Sequence, residues 1–192
     1  MVQYLVFIGV AISIGSFIPY IRAIIKGLVQ PNKITWLLWS IAPMIAFVAS
    51  VFATGFHLGQ ITVFVAGFLP MIIFATTFIN KNAHWEIRAF DLLCGAASVI
   101  TLIIWYLTKN PNVAIVLSIL SDGMAALPTV IKAYKYPESE VVFPYASGIF
   151  SSGISLFTFP KISFANMAFP VYLVVLNIIL TIILITKKKN KV

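Results

Sequence analysis

The 192-residue sequence contains one cysteine, two histidines and five acidic residues. A single thiol, Cys94, excludes a disulfide within the chain. His57 and His84 fall in separate polar breaks between apolar segments, so we expect no histidine-based metal site. The acidic residues form no recognisable aspartyl protease motif. We therefore expect neither an enzyme nor a protein that carries a cofactor.

Charged residues are scarce as well: they make up 9% of the chain, whereas hydrophobic residues make up 61%. Long apolar runs recur throughout, and each approaches the ~20 residues that cross ~30 Å of hydrocarbon. Because no stretch is long and polar enough for a soluble domain, we predict a single integral membrane domain over residues 1–192. The net charge of +8 would suggest nucleic acid in a soluble protein, but loops around membrane helices explain it better, and we expect no nucleic-acid partner.

Seven transmembrane helices can be drawn, separated by breaks rich in proline, glycine, asparagine and lysine. Their predicted bounds are 3–25, 34–54, 58–79, 87–107, 112–134, 140–158 and 164–186. The first run lacks the basic flank of a secretory signal, so we expect it to remain as a membrane helix. The apolar runs are continuous rather than alternating, which argues against strands. The last segment contains no lysine, which excludes a retinal photoreceptor.

The basic residues lie almost entirely on one side of these helices. Eleven of the 13 fall there, against two on the other side, Lys109 and Lys161. The eleven are Arg22, Lys26, Lys33, Lys81, Arg88, Lys132, Lys135, Lys187, Lys188, Lys189 and Lys191. The positive-inside rule therefore predicts a multi-pass protein of the plasma (inner) membrane, with its N-terminus outside and its C-terminus cytoplasmic. We also expect anionic lipids to contact the basic C-terminal tail.

Two segments of the chain resemble each other, SFIPYIRAIIKGLVQPNKITWLLW (16–39) and AALPTVIKAYKYPESEVVFPY (125–145). Each has a proline late in a helix, a basic stretch, a second proline in a short loop and an aromatic entry into the next helix. Pro19 matches Pro128, and Trp39 matches Tyr145 after a three-residue difference in length. The pattern predicts an all-α fold with two parallel three-helix repeats, residues 3–80 and 112–186, joined by a linker helix over 87–108.

This three-plus-one-plus-three arrangement resembles the SWEET and PQ-loop transporters and the related KDEL receptors. The family motif is a Pro-Gln pair in the first and fifth helices, and this chain reads Pro19-Tyr20 and Pro128-Thr129, so the prolines match and the glutamines do not. Sugar-transporting members place an asparagine in the third and seventh helices. Here Asn177 is present, but Met71 stands at the matching place, so the chain resembles a divergent member.

Asp122 is the most informative residue, because it stands near the middle of an otherwise uncharged apolar run that extends from Pro111 to Lys132. An ionised carboxylate at that depth costs about 2.5–3.5 kcal/mol on insertion scales. Such residues usually face a wet cavity or a partner, or hold a proton. Ser13 stands at the matching position of the first repeat. A role with a proton or substrate and a structural hydrogen bond to a neighbouring hydroxyl are both open.

The other candidate substrate contacts are Trp39, Tyr145 and Asn177. Trp39 and Tyr145 recur at one repeat position and could gate the path or stack on a solute, whereas Trp36 is expected in the aromatic belt at the headgroup level. For Asn177, an interhelical hydrogen bond and a substrate contact are both open. Pro19 and Pro128 are candidate hinges, because each removes a helical hydrogen bond, and a static kink is the alternative.

Four further polar residues receive structural interpretations. Asp91 is expected to form an i, i+3 ion pair with Arg88. Glu140 is expected to be solvated or to cap the sixth helix. Gln60 and Asn166 are expected near the outer ends of their helices, where interface solvation or an outer vestibule would explain them.

Taken together, these features predict a small-solute transporter of the SWEET/PQ-loop type that works by alternating access. The solute is expected to be neutral and polar, such as a sugar, an amino acid or a vitamin, and movement is either proton-linked through Asp122 or facilitated diffusion. The alternative is a non-transporting membrane receptor or scaffold with the same fold, as the resemblance to KDEL receptors implies. The sequence leaves open whether the chain forms a homo-oligomer.

Overall fold

The computed structural model describes residues 4–80, 85–108 and 110–189, and within them the chain is helical, with no strand. Seven α-helices and one short 3-10 helix, Pro137–Ser139, account for its regular structure in these ranges. The α-helices are α1 (Leu5–Ile25), α2 (Lys33–Thr54), α3 (Gln60–Thr76), α4 (Ala89–Thr108), α5 (Pro111–Lys135), α6 (Phe143–Leu156) and α7 (Phe164–Lys189). Gln3, Lys81, His84, Lys109 and Lys191 lie outside the described residues.

The helix bounds follow the polar breaks of the sequence. Asn32 caps α2, because its Oδ1 accepts hydrogen bonds from the backbone amides of Ile34 (3.0 Å) and Thr35 (3.3 Å). Asn110 caps α5 in the same way, with a proline in the first turn. Gly55 ends α2 with φ of 77°, a backbone conformation that side chains other than glycine disfavour. The predicted bounds therefore agree with the observed ones to within a few residues.

Five of the α-helices contain an interior proline and remain continuous through it. These prolines are Pro19, Pro43, Pro70, Pro128 and Pro170. A membrane helix tolerates proline where neighbouring groups satisfy the backbone carbonyl that loses its hydrogen bond.

Four of these helices are long and apolar enough to cross a membrane, namely α1, α2, α5 and α7. Over the described residues α3 is apolar but shorter, and so is the first part of α4, Ala89–Ile100. Helix α6 has 14 residues, which at 1.5 Å per residue is about 21 Å, less than the ~30 Å hydrocarbon core. Large apolar side chains cover much of the outer surface, for example Phe52, Leu107 and Phe150. The chain is therefore a membrane protein by the length, composition and surface of its helices.

The contacts between helices show a correspondence between two triplets, in which α1, α2 and α3 match α5, α6 and α7. Helix α1 contacts α6 as α5 contacts α2, and α1 contacts α3 as α5 contacts α7. The pair α2 and α3 corresponds likewise to α6 and α7. Helix α4 has no counterpart in this correspondence, and it packs against α5 and α2.

Loop contacts bring the basic residues of the described ranges, apart from Lys161, to one end of the bundle, the basic end. The α1–α2 loop is hydrogen-bonded to the α5–α6 segment through Gln30 and Ser139, and α3 is tied to the last turn of α1 through Asn80. The carbonyl of Glu140 accepts a hydrogen bond from Lys188 Nζ at the end of α7 (2.7 Å). At the opposite end, the α2–α3 and α6–α7 loops meet, where Gly59 packs against Thr158 and Phe159.

Candidate functional site

A central cavity of about 90 Å³ lies between the helices, with walls from all of them except α4. That volume exceeds the ~10–15 Å³ needed for one water, so the cavity can hold several waters or a compact solute. The five residues predicted to contact substrate or proton all line it: Ser13, Trp39, Asp122, Tyr145 and Asn177. They come from five different helices. Their meeting in one space depends on the packing of both helix triplets.

One part of the cavity wall is aromatic. The ring centroids of Trp36 and Trp39 are 5.2 Å apart, and those of Trp39 and Tyr145 are 6.3 Å apart, both in edge-to-face arrangements. Phe17 packs edge-on against Trp36 at 6.2 Å. Trp36 is only 2% exposed, so its assignment to the headgroup belt was wrong. It begins the second helix close to the basic end, but its ring points into the bundle and lines the cavity.

Asp122 is buried, with 1% of its surface exposed, and only one of its carboxyl oxygens is engaged. Oδ2 accepts a hydrogen bond from the Tyr172 hydroxyl at 2.7 Å. Oδ1 has no hydrogen-bond partner among the described residues. The backbone carbonyl of Asp122 accepts the indole N–H of Trp39 at 3.3 Å, which holds that ring beside the acid. Tyr172 lies 50 residues away in sequence, and no pattern in the chain predicts this contact.

Ser13 and Asn177 line the cavity with hydrogen bonds inside their own helices. The carbonyl of Ser13 accepts from Ser16 Oγ at 2.7 Å. Asn177 Nδ2 donates to the carbonyl of Leu173 at 2.8 Å, so its described hydrogen bond is intrahelical, whereas the structural alternative predicted an interhelical one. Gly148 of α6 lies against the Asn177 amide, and a Cβ at that glycine would come within 2.7 Å of it. The asparagine therefore fixes the spacing of α6 and α7 beside the cavity.

The two candidate hinges, Pro19 and Pro128, do not line the cavity and lie in different environments. Pro19 is on the outer surface of α1, whereas Pro128 is buried in α5. Each is adjacent to a side chain that forms a hydrogen bond outside its own helix. Tyr20 reaches Glu140, and Thr129 donates to Thr35 of α2 at 3.2 Å.

Glu140 is the polar residue that the sequence interpretation placed most wrongly. It is buried rather than solvated, and its Oε1 lies 2.5 Å from Nζ of the buried Lys132. Its Oε2 accepts hydrogen bonds from the hydroxyls of Tyr20 (2.8 Å) and Tyr145 (3.1 Å). These four residues, the Glu140 cluster, join α1, α5 and α6 at the basic end of the cavity. A carboxylate directly before an apolar helix entry, Val141-Val142, was the available signal.

The expected ion pair between Asp91 and Arg88 is also corrected. Asp91 is buried, and its Oδ2 accepts a hydrogen bond from the backbone amide of Arg88 at 2.7 Å. Its Oδ1 accepts from Asn32 Nδ2 at 2.8 Å, which ties α4 to the cap of α2. The Arg88 guanidinium instead lies over the Trp85 ring, 5.1 Å from its centroid.

A second polar network, the Gln60 network, joins the helices at the opposite end. Gln60 Nε2 donates to Ser50 Oγ at 2.7 Å, and its Oε1 accepts from the backbone amide of His57 at 2.9 Å. Thr54 Oγ1 lies 3.2 Å from Gln60 Nε2 and 3.1 Å from Asn166 Oδ1. Gln60 and Asn166 are buried, which contradicts the solvated interface expected for them. They join α2, α3 and α7.

Among the described residues, no group of three or more His, Cys, Asp or Glu side chains is placed to hold a metal ion. In comparisons with known proteins, no family model matches this chain, and no curated protein or solved structure matches it.

Proposed function

We propose that this protein is a small-solute membrane transporter that works by alternating access. The observation that carries the proposal is the central cavity, where the dispersed polar residues Ser13, Asp122 and Asn177 meet two aromatic residues predicted to contact solute. Polar side chains inside a membrane bundle are costly and usually serve a pathway or a ligand. A cavity of this kind, lined mainly by apolar groups with a few polar ones, is typical of small-molecule sites.

The proposed architecture is two parallel three-helix repeats, α1–α3 and α5–α7, with α4 as the linker. The matching contacts made by corresponding helices of the two triplets support it. So does the position of the cavity, which takes its walls from both triplets and none from α4. Transporters built from such repeats bind solute near the bilayer midplane, at the repeat interface. We propose that all seven helices cross the membrane, with the N-terminus outside and the basic end in the cytoplasm.

In the proposed mechanism, the two ends of the cavity open in turn. The Glu140 cluster would separate on opening to the cytoplasm, and the Gln60 network would separate on opening to the outside. Pro19 is next to Tyr20, so a bend of α1 at that proline would move a member of the Glu140 cluster directly. Pro128 would provide the corresponding bend in α5, as a proline lacks the helical hydrogen bond that resists bending.

Asp122 is the residue through which a proton would enter this cycle. A carboxyl group is far less costly to bury when protonated than when ionised. Uptake of a proton by Asp122 could therefore accompany one of the two openings. The neutral polar solute expected from the sequence would bind against the same wall.

The test is a thermal-shift screen of the purified protein against sugars, amino acids and vitamins, followed by uptake into proteoliposomes. A ligand of the wild type stabilises it by RT ln(1 + [L]/Kd) and is expected to lose affinity for Asp122→Asn. Labelled ligand should then accumulate in proteoliposomes to the external concentration or above it. Ligand binding without flux in the same vesicles would overturn the transporter assignment.

A receptor is the second candidate, because buried polar networks join the helices at both ends of the bundle. Such a protein would bind its ligand in the same cavity and release it on the side from which it entered. The uptake assay separates the two, since a receptor shows saturable binding and no flux.

A further inference from the structure

The three buried acids of the described chain differ in how their charges are compensated. Both carboxyl oxygens of Glu140 are engaged, by Lys132 and by two tyrosine hydroxyls. Both oxygens of Asp91 are engaged as well, by the Asn32 amide and a backbone N–H. Asp122 alone keeps an oxygen, Oδ1, without a partner among the described residues. This oxygen belongs to a side chain that lines the central cavity.

The described residues around the cavity supply no positive charge to this carboxylate. The lining contains no lysine, arginine or histidine. The one buried basic residue of the described ranges, Lys132, is already bound to Glu140 and to the carbonyl of Gln30. A buried carboxylate without a partner is strongly destabilising, and an opposite charge placed against it in good geometry offsets part of that cost. The cavity is therefore electrostatically suited to a ligand that carries the positive charge itself.

The aromatic wall favours the same class of ligand. Four aromatic residues, Phe17, Trp36, Trp39 and Tyr145, line the cavity together with Asp122. Aromatic rings attract ammonium groups through their quadrupole, most strongly for tryptophan and in desolvated sites. The indole of Trp39 is hydrogen-bonded to the backbone carbonyl of Asp122, and both residues line the cavity. The small volume limits the ligand to a compact one.

We propose that the central cavity binds a small organic monocation, whose ammonium group pairs with Asp122 Oδ1 while its apolar body packs against the tryptophans. This inference rests on the binding site of the proposed function and replaces the neutral solute by a cationic one. An amine or a quaternary ammonium group would satisfy it, and the aromatic wall accepts either.

The experiment compares cations with neutral molecules of the same shape on the purified full-length protein. Choline is paired with 3,3-dimethylbutan-1-ol, in which carbon replaces the charged nitrogen, and butylammonium is paired with butan-1-ol. Equilibrium binding is measured on the wild type, on Asp122→Asn and on Glu86→Gln, which removes an exposed acid outside the cavity. The unliganded melting temperature of each variant confirms that it is folded.

We expect at least one ammonium compound to bind the wild type at millimolar or lower concentration and its neutral counterpart to bind at least about 30-fold more weakly. Asp122→Asn should lose a similar factor for the cation, and Glu86→Gln should bind it as the wild type does. Equal binding of cation and neutral isostere would overturn the proposal, and so would failure of both ammonium compounds to bind. Wild-type affinity in Asp122→Asn would also contradict it.

A flux assay on the same protein separates this inference from the proposed function. Uptake of a neutral solute without ammonium binding would leave the transporter standing and overturn the cationic ligand. Ammonium binding that depends on Asp122 without uptake into proteoliposomes would support the cation site and overturn the transporter.

Discussion

Lys132 and Glu140 form a buried ion pair, with Nζ and Oε1 2.5 Å apart, although one stands in α5 and the other just before α6. The lysine also donates to the carbonyl of Gln30, and the glutamate accepts from the hydroxyls of Tyr20 and Tyr145. The pair therefore connects both proposed repeats at the basic end. Asp122 is the one buried acid of the described chain with a carboxyl oxygen that neither a hydrogen bond nor an ion pair engages.

Glu140→Gln is expected to destabilise the protein by about 3–5 kcal/mol, because it leaves the charge of Lys132 buried and unpaired. The measurement is the free energy of unfolding in mixed micelles, with Glu86→Gln as an exposed control that should change it little. Adding Lys132→Met to Glu140→Gln should recover most of the loss. A loss that the second substitution does not reduce would show that the pair is not what stabilises this end.

Asp122→Asn is expected to leave the stability of the unliganded protein unchanged or to raise it. The asparagine keeps the shape of the side chain, and its amide oxygen can still accept the Tyr172 hydroxyl, while the uncompensated charge is removed. Thermal unfolding of wild type and variant without ligand provides the comparison. A drop as large as that of Glu140→Gln would mean that the ionised carboxylate has a structural partner and is not reserved for a ligand.

Gly67→Ala is expected to destabilise the packing of α2 on α3 by about 1–3 kcal/mol. A Cβ at that position would lie 2.9 Å from the backbone carbonyl oxygen of Ser40 and 3.0 Å from Met44 Cγ. The matched control is Gly153→Ala, where a Cβ meets nothing within 4 Å and the alanine should be neutral or stabilising. Equal unfolding temperatures for the two variants would contradict the close approach of these helices.

Asn166→Ala is expected to lower stability without changing ligand affinity. The asparagine is buried in the Gln60 network, where its Oδ1 lies 3.1 Å from Thr54 Oγ1 and its Nδ2 donates to the carbonyl of Lys161 at 3.0 Å. Losing these bonds should cost about 1–3 kcal/mol of unfolding free energy. Binding of the ammonium probe measured on the same sample checks the second half. A large loss of ammonium affinity in Asn166→Ala would instead support the outer vestibule that the sequence suggested.

The helix positions were predictable because the bilayer imposes a simple rule. Each helix that satisfies its own backbone within hydrocarbon needs a continuous apolar run, and such runs end at polar breaks such as those at Asn32 and Asn110. Comparison of the two repeats in the sequence also identified Trp39 and Tyr145 as candidate solute contacts, and both line the cavity.

Contacts between distant segments were not predictable in the same way. The assignment of Glu140 to solvent assumed that a polar loop faces water, but a short 3-10 turn folds it back onto Lys132. Trp36 was assigned by depth alone, and depth does not say whether a ring faces lipid or the bundle. The hydroxyl of Tyr172 in α7 donates a hydrogen bond to Asp122 in α5. This contact depends on how each of the two helices is rotated about its own axis.

Cysteine accessibility tests alternating access through the cavity without knowledge of the substrate. In a Cys94→Ala background, which removes the one native thiol, Ser152→Cys places a thiol on the cavity wall, and Phe150→Cys places one on the exposed surface of the same helix. Both proteins are treated with a membrane-impermeant thiol reagent from each side of sealed proteoliposomes. If access alternates, the thiol of Ser152→Cys reacts from both sides and that of Phe150→Cys from neither. Reaction of the cavity thiol from one side only would contradict alternating access and favour a receptor.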